Sequence, residues 1–139
     1  MKSKYALSIA GLLVLGSIPV LAHHSFAAEY DDKKPVTFQG TVVKTEFMNP
    51  HVWLYVDVKD QNGGTVRWQC EGGAPNSLIR QGWNTKTLKA GDVVTVEGFR
   101  AKDGTNTCNS RSVKLPSGKS VFAGSADDGG PNAKGAPKE

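Results

Sequence analysis

The sequence has few residues of the kinds that usually carry redox or metal chemistry: two cysteines, three histidines and two methionines among 139 residues. Cys70 and Cys108 are not spaced as Cys-x-x-Cys, which argues against a thiol redox motif or a cysteine metal site. The sequence also lacks a Ser-His-Asp order, a paired-carboxylate motif and a phosphate-binding glycine loop followed by Lys and Ser or Thr. We therefore predict that the protein is not an enzyme.

A long uninterrupted hydrophobic run is missing as well. Two lysines precede the apolar stretch Ala6–Leu15, and glycine, serine and proline interrupt the residues that lead to Ala22. A membrane-spanning helix needs about 20 continuous apolar residues. A charged start, a short apolar middle and a small-residue end instead predict a signal peptide over residues 1–22. We expect a periplasmic or secreted protein that begins at His23 and has no stable membrane span after cleavage.

Charge of one sign is not concentrated anywhere in the sequence. The predicted leader holds two of the 17 basic residues and none of the 13 acidic ones, so the remaining side chains have a net charge of +2. The aromatic and basic residues Trp53, Tyr55, Arg67 and Trp68 could be compared with the faces on which OB barrels bind single-stranded nucleic acid. There is no basic stripe, and an exported protein meets no such ligand routinely, so we expect no nucleic-acid partner.

What the sequence does contain is a series of short β-type segments. A helix start at Pro75 and an end before Gly82 predict one short helix over Pro75–Gln81. Asn62-Gly63 predicts a hairpin that pairs the second and third strands. The order predicts an all-β fold, a five-stranded OB-like Greek-key barrel with one short helix between strands 3 and 4, and a sandwich is the alternative. The predicted strands are Val36–Phe47, His51–Lys59, Thr65–Cys70, Val93–Ala101 and Ser110–Leu115.

The residues after the leader suffice for one domain. Polar residues predict an N-terminal arm over 23–35 and the barrel over 36–124, whereas the Gly-, Pro- and Ala-rich residues 125–139 predict a disordered tail. Both cysteines lie in the predicted barrel. An even number of cysteines in an oxidising compartment predicts a disulfide between Cys70 and Cys108.

The three histidines suggest a function because they occur at only two places, His23 and His24 at the predicted terminus and His51 in a turn. The α-amine and imidazole of His23 can chelate a metal, and His51 would complete a three-nitrogen histidine brace. This donor set favours Cu(II), with zinc less favoured. Met48, three residues before His51, could add a thioether ligand for Cu(I). The sequence thus predicts an exported domain that binds copper for storage, delivery or sensing.

Other arrangements of the histidines stay open. His24 could hold copper together with the terminal amine and the intervening amide, without any help from His51. The terminal histidines could instead be a polar end, with His51 capping a turn. Cleavage at Ala27 or Ala28 would remove both terminal histidines. A copper oxygenase with a histidine brace is conceivable, but the sequence identifies no substrate-binding face.

The alternative function is a metal-free envelope-binding or protein-interaction module. It would bind an unknown envelope protein or a small ligand through exposed faces of the sheet. The candidate contact residues for that ligand face are Trp53, Tyr55 and Trp83.

Several motifs are shared with a known group of proteins. They are His23-His24-Ser25-Phe26 with the following residues to Asp31, Asn49-Pro50-His51-Val52-Trp53, Ala74-Pro75-Asn76-Ser77-Leu78 with Gly82-Trp83, Gly91-Asp92, and Arg100-Ala101-Lys102-Asp103-Gly104. Over His23 to about Gly124 the chain resembles a family of small exported bacterial proteins known as a domain of unknown function. The resemblance implies an exported β-barrel domain and supplies no catalytic residues. The two cysteines depart from the family's usual pattern, which fits an added disulfide.

Overall fold

The computed structural model describes residues 26–124. The predicted leader, His23, His24 and the predicted tail over 125–139 lie outside the described residues. None of the helices within the described range is long and apolar enough to cross a membrane.

Six strands and two short helices make up the described part of the chain. In chain order they are α1 (Phe26–Glu29), β1 (Tyr30–Phe47), β2 (Val52–Lys59), β3 (Thr65–Glu71), α2 (Pro75–Arg80), β4 (Val93–Ala101), β5 (Thr107–Lys114) and β6 (Ser120–Phe122). The prediction of a mainly β fold is confirmed, and most of the strand pairs are antiparallel.

The structure differs from the sequence prediction at both ends of the sheet. β1 begins at Tyr30 rather than Val36, so part of the predicted arm over 23–35 is strand. Residues 32–35 are exposed, and pairing with β4 resumes at Pro35 opposite Phe99 after an irregularity that follows Tyr30. The sequence also predicted five strands and missed α1 and β6. Both elements are too short, at four and three residues, to produce a hydrophobic period.

The strand pairing returns to its starting point. Hydrogen-bonded neighbours follow the order β3-β2-β1-β4-β5-β6, and β3 also pairs in parallel with β5. The first residues of β5, from Thr107 to Asn109, pair with β3, whereas the later residues from Ser112 to Lys114 pair with β6. The predicted pairing of β2 with β3 is confirmed, and it places Trp53 opposite Glu71.

Two groups of buried side chains lie on the sheet. The larger is the main core, with residues from all of β1 to β5 and from α2, including Val56, Val96 and Leu78. The smaller, which we call the Phe26 cluster, consists of Phe26, Tyr30 and Ala101 with Phe99 packed against them. Because α1 and the first residue of β1 supply half of the Phe26 cluster, this cluster attaches the N-terminal end of the described chain to β4.

Cys70 and Cys108 lie at disulfide distance, as predicted, with their Cα atoms 4.6 Å apart. They are direct partners in the three-residue parallel ladder of β3 and β5, and both side chains are in the main core. A crosslink that closes a loop of 38 residues stabilises a fold by about 4 kcal/mol in the chain-entropy model. The next pair along this ladder is Glu71 opposite Asn109, and alternation places these two side chains on the face away from the main core.

Candidate metal centre

The imidazole of His51 is held by the backbone of the segment that follows β3. His51 lies just before β2, after a cis Asn49–Pro50 peptide bond, and its side chain is half-buried. Nδ1 is 3.0 Å from the carbonyl oxygen of Gly72. A carbonyl can only accept a hydrogen bond, so Nδ1 carries the proton and donates it to Gly72, which leaves Nε2 as the other ring nitrogen.

The position of Gly72 is set by close approach of its backbone to the backbones of Val52 and Ala123. Its N–H donates to the carbonyl of Val52 at 2.7 Å, and the N–H of Val52 donates to the carbonyl of Gly73 at 3.0 Å. A Cβ on Gly72 would stand 2.9 Å from the carbonyl oxygen of Ala123, closer than such atoms normally come. Glycine is therefore required by space, and the two hydrogen bonds fix the carbonyl that orients His51.

His51 Nε2 faces the carboxylate of Glu71, with 3.3 Å between Nε2 and Oε1. Glu71 is the last residue of β3, and its side chain is only 8 % exposed. The other oxygen, Oε2, accepts a short hydrogen bond from the hydroxyl of Tyr30. The backbone carbonyl of Glu71 accepts a hydrogen bond from Ser110 Oγ at 2.9 Å. Burying a carboxylate without partners is unfavourable, and the contacts with Tyr30 and His51 compensate for the hydration that the carboxylate loses.

Tyr30 reaches Glu71 from the opposite end of the described chain, 41 residues away in sequence. Its ring is buried in the Phe26 cluster. Burial raises the pKa of Tyr30, and the hydrogen bond to Glu71 adds to this effect. The phenol is therefore a hydrogen-bond donor at neutral pH, and it donates to one carboxylate oxygen of Glu71.

The Phe26 cluster holds α1 beside this carboxylate. The ring of Phe26 lies 5.8 Å from that of Tyr30 and meets the ring of Phe99 edge to face at 5.6 Å. The guanidinium of Arg111 on β5 stands 4.8 Å from the centre of the Phe26 ring. Lys102 adds two contacts to α1, from Nζ to the carbonyl of Ala27 and from its backbone N–H to the carbonyl of Glu29. The start of the described chain is thus fixed on the same side of the sheet as Glu71.

The predicted metal ligands are only partly brought together. His51 is oriented as a donor, whereas His23 and His24 lie outside the described residues. Met48 belongs to the same turn as His51, but its side chain is 52 % exposed. Within residues 26–124 no three His, Cys, Asp or Glu side chains are grouped closely enough to hold a metal ion. The described chain therefore offers a two-residue centre of His51 and Glu71, which would need further donors.

Of the three residues predicted to form a ligand face, Trp53, Tyr55 and Trp83, one is buried. Trp83 is 3 % exposed and belongs to the main core, so its assignment as a surface contact is wrong. The backbone N–H of Trp83 donates to the carbonyl of Leu78 at 3.0 Å. The Trp83 side chain belongs to the same core cluster as Leu78 of α2. Trp53 and Tyr55 are half-buried on β2. The hydroxyl of Tyr55 donates to Glu46 at 3.1 Å.

A family model matches residues 11–110 of the chain, which include all the residues of this centre. The matching family is DUF6152, described as a family of unknown function. The chain belongs to the DUF6152 family. The predicted membership in a family of unknown function is thus confirmed, and the family description assigns no activity. Among curated proteins none matches the chain.

In this DUF6152 protein, the sequence prediction found His51 but missed Glu71, Tyr30 and Asn109. The sequence did contain a signal for Glu71 and Asn109, namely that each directly follows a cysteine. If Cys70 and Cys108 face each other in a parallel pair, the following residues, Glu71 and Asn109, also face each other. No local pattern pointed to Tyr30, because its contact with Glu71 depends on how β1 crosses the sheet.

Proposed function

We propose that this protein is an exported OB-like barrel that binds copper, for storage, delivery or sensing. The observation that carries the proposal is the orientation of His51, whose Nδ1–H is held by the Gly72 carbonyl while Nε2 faces away from that bond. Metal-binding histidines usually donate their second ring N–H to a carbonyl or carboxylate, which fixes the ring and its tautomer. His51 has this arrangement already in place.

The architecture supports an OB-like barrel. The pairs β1–β2, β2–β3, β3–β5, β5–β4 and β4–β1 form a closed cycle, and α2 lies between β3 and β4 in chain order. The five-stranded Greek-key barrel of OB domains has this type of closure. The pairing of Cys70 with Cys108 supports export, because disulfides persist mainly in oxidising compartments.

The N-terminal end of the described chain supports a role for His23. Phe26 is buried beside Tyr30, and covalent geometry keeps the Cα atom of residue 23 within about 11 Å of that of Phe26. Cleavage after Ala22 would give His23 a free α-amine. We propose that this amine, the His23 imidazole and His51 Nε2 are the nitrogen donors. Cleavage at Ala27 or Ala28 would instead remove Phe26 and leave the Phe26 cluster incomplete.

The test is a Cu(II) titration of the mature protein, residues 23–139, followed by electron paramagnetic resonance. We expect His51→Ala to change the copper hyperfine splitting and to weaken binding by at least about tenfold, because one of three nitrogen donors is lost. One extra residue before His23 should weaken binding similarly, because it removes the amine from the chelate ring.

His24→Ala and Met48→Leu are the matched controls, and both should leave the Cu(II) spectrum unchanged. If His51→Ala has no effect while His24→Ala abolishes the spectrum, copper is held by the terminal amine, amide and second imidazole alone. That result would refute the His51 site. Zinc competition in the same titration measures how far copper is preferred over the less favoured metal.

A metal-free envelope-binding module is the second candidate, and one surface feature favours it. The ring of Trp68 on β3 lies 4.6 Å from that of Phe38, and the guanidinium of Arg100 is 5.5 Å from the centre of the Trp68 ring. All three side chains are partly exposed. Stacks of this kind bind planar or aromatic groups well. A protein that binds neither copper nor zinc would favour this second function.

A further inference from the structure

The separation between His51 Nε2 and Glu71 Oε1 has the size expected for two ligands of one metal ion. A charge-assisted N–H to carboxylate hydrogen bond is about 2.7–2.9 Å long. The observed 3.3 Å exceeds that range. Two ligand atoms that each lie about 2.0–2.1 Å from a tetrahedral ion are about 3.3–3.4 Å apart. The observed separation therefore matches two ligands of a tetrahedral ion such as Zn(II), and a tetragonal Cu(II) ion would draw the two atoms together to about 2.8–2.9 Å.

Glu71 is also oriented for this purpose by contacts that do not involve His51. Tyr30 engages Oε2, and Ser110 binds the backbone carbonyl of Glu71. Oε1 is the oxygen directed at the imidazole. Because Tyr30 holds the carboxylate and Ser110 holds the backbone of the same residue, Glu71 needs little rearrangement to bind an ion together with Nε2.

A second, independent observation comes from Asn109 on the neighbouring strand. Asn109 is paired in register with Glu71, and it is 4 % exposed. Within residues 26–124 its Oδ1 has no hydrogen-bond partner. Buried polar atoms nearly always have a partner, so an orphaned amide oxygen beside a buried carboxylate is a sign of a site for a bound water or ion.

We propose that Glu71 is a ligand of the same metal as His51, that Tyr30 positions it, and that Asn109 accepts a hydrogen bond from a metal-bound water. The proposal rests on the proposed function, because it takes His51 as a ligand. It also names the class of ion. A carboxylate is a hard, anionic ligand that suits divalent ions, whereas Cu(I) is selected by thiolate and thioether ligands. The centre therefore takes Cu(II) or Zn(II) in preference to Cu(I).

The central variant is Glu71→Gln in the mature protein, because the glutamine oxygen can still accept the hydrogen bond from Tyr30. We expect its dissociation constants for Cu(II) and Zn(II) to rise by about tenfold to a hundredfold. The Cu(I) constant, measured by chelator competition in ascorbate, should change by less than about threefold, since Cu(I) gains little from a carboxylate. The Cu(II) paramagnetic resonance spectrum should also change.

Two further variants keep this test specific. Glu46→Gln alters a carboxylate that also accepts a hydrogen bond from a tyrosine but is partly exposed and paired with Lys44, and it should leave all three constants unchanged. Tyr30→Phe leaves the Glu71 carboxylate in place without its positioning bond, and it should weaken Cu(II) binding by about threefold to tenfold. Tyr30→Phe also serves if Glu71→Gln fails to fold.

The outcomes separate the two proposals. If wild-type protein binds no metal, or if His51→Ala leaves Cu(II) binding unchanged, the proposed function fails. If His51→Ala weakens binding but neither Glu71→Gln nor Tyr30→Phe changes affinity or spectrum, only the role of Glu71 is refuted. Equal losses for Cu(I) and Cu(II) in Glu71→Gln would overturn the preference for divalent ions.

Discussion

Two Glu–Tyr hydrogen bonds occur in the same sheet in very different surroundings. Glu46 and Tyr55 lie nine residues apart in sequence on β1 and β2, and the side chain of Glu46 is 30 % exposed. Glu71 and Tyr30 are 41 residues apart, and Glu71 is 8 % exposed. Water and the ammonium of Lys44 compensate the charge of Glu46. The buried Glu71 depends on particular side chains, and this dependence is what makes it a candidate for metal chemistry.

The pKa shifts in the two pairs have different causes. The hydrogen bond from Lys44 holds the pKa of Glu46 below its ordinary value, and the bond from Tyr55 contributes further. In the buried pair, burial is the largest reason why the pKa of Tyr30 is raised. Hydrogen bonds from neighbouring side chains therefore set the pKa shift of Glu46 in the exposed pair. In the buried pair, the loss of water is the main cause of the pKa shift of Tyr30.

The largest expected effect comes from removing the buried carboxylate. Glu71→Ala should lower the free energy of unfolding by about 2–4 kcal/mol without metal, because the Tyr30 hydroxyl and His51 lose their buried partner. Urea unfolding followed by tryptophan fluorescence measures this loss. The matched variant Glu46→Ala should unfold at nearly the wild-type midpoint. Equal effects from the two variants would show that burial does not distinguish the pairs.

A smaller effect is expected when the tyrosine hydroxyls are removed. Tyr30→Phe should lower the free energy of unfolding by about 1–2 kcal/mol, because Glu71 Oε2 loses its buried donor while the ring packing with Phe26 is kept. Tyr55→Phe should have no measurable effect, since water replaces the hydroxyl at Glu46. Thermal unfolding of both variants in one buffer checks the contrast, and a larger loss in Tyr55→Phe would reverse our ranking.

The smallest effect is the pH dependence of the exposed pair. The pKa of Glu46 is lower in the folded protein, so its contribution to stability is present above its ordinary value of 4.5 and is lost as pH falls through the lowered pKa. The unfolding midpoints of wild type and Glu46→Gln should therefore differ slightly at pH 7 and converge in acid. A difference that grows toward low pH would contradict this assignment.

The parts of the fold with strong hydrophobic alternation could be predicted from the sequence. β4 has the predicted bounds of Val93–Ala101, and β2 differs by one residue, because His51 belongs to the preceding turn. The start of β1 could not be found in this way, since its exposed polar residues resemble an arm. The two ends of this stretch, Tyr30 and Pro35, pair with residues of β4 that lie more than 60 positions away in the chain.

The candidate site shows the same division between local and distant information. His51 attracted attention through its own turn and through the scarcity of histidine. Glu71 is an ordinary strand residue in the sequence, and it becomes unusual only because Tyr30 and Asn109 come to lie beside it. Trp83 shows the opposite error, because an aromatic residue after a short helix was assigned to the surface and in fact packs in the core.

The bond between Cys70 and Cys108 fixes the register of the residues beside it, including those whose side chains lie on the outer face of the sheet. The parallel ladder of β3 and β5 has only three residue pairs, and a slip of one position along it would change which side chains stand opposite each other. The crosslink forbids that slip. Glu71 and Asn109 follow the two cysteines directly, so their alignment is set by a covalent bond on the other side of the strands.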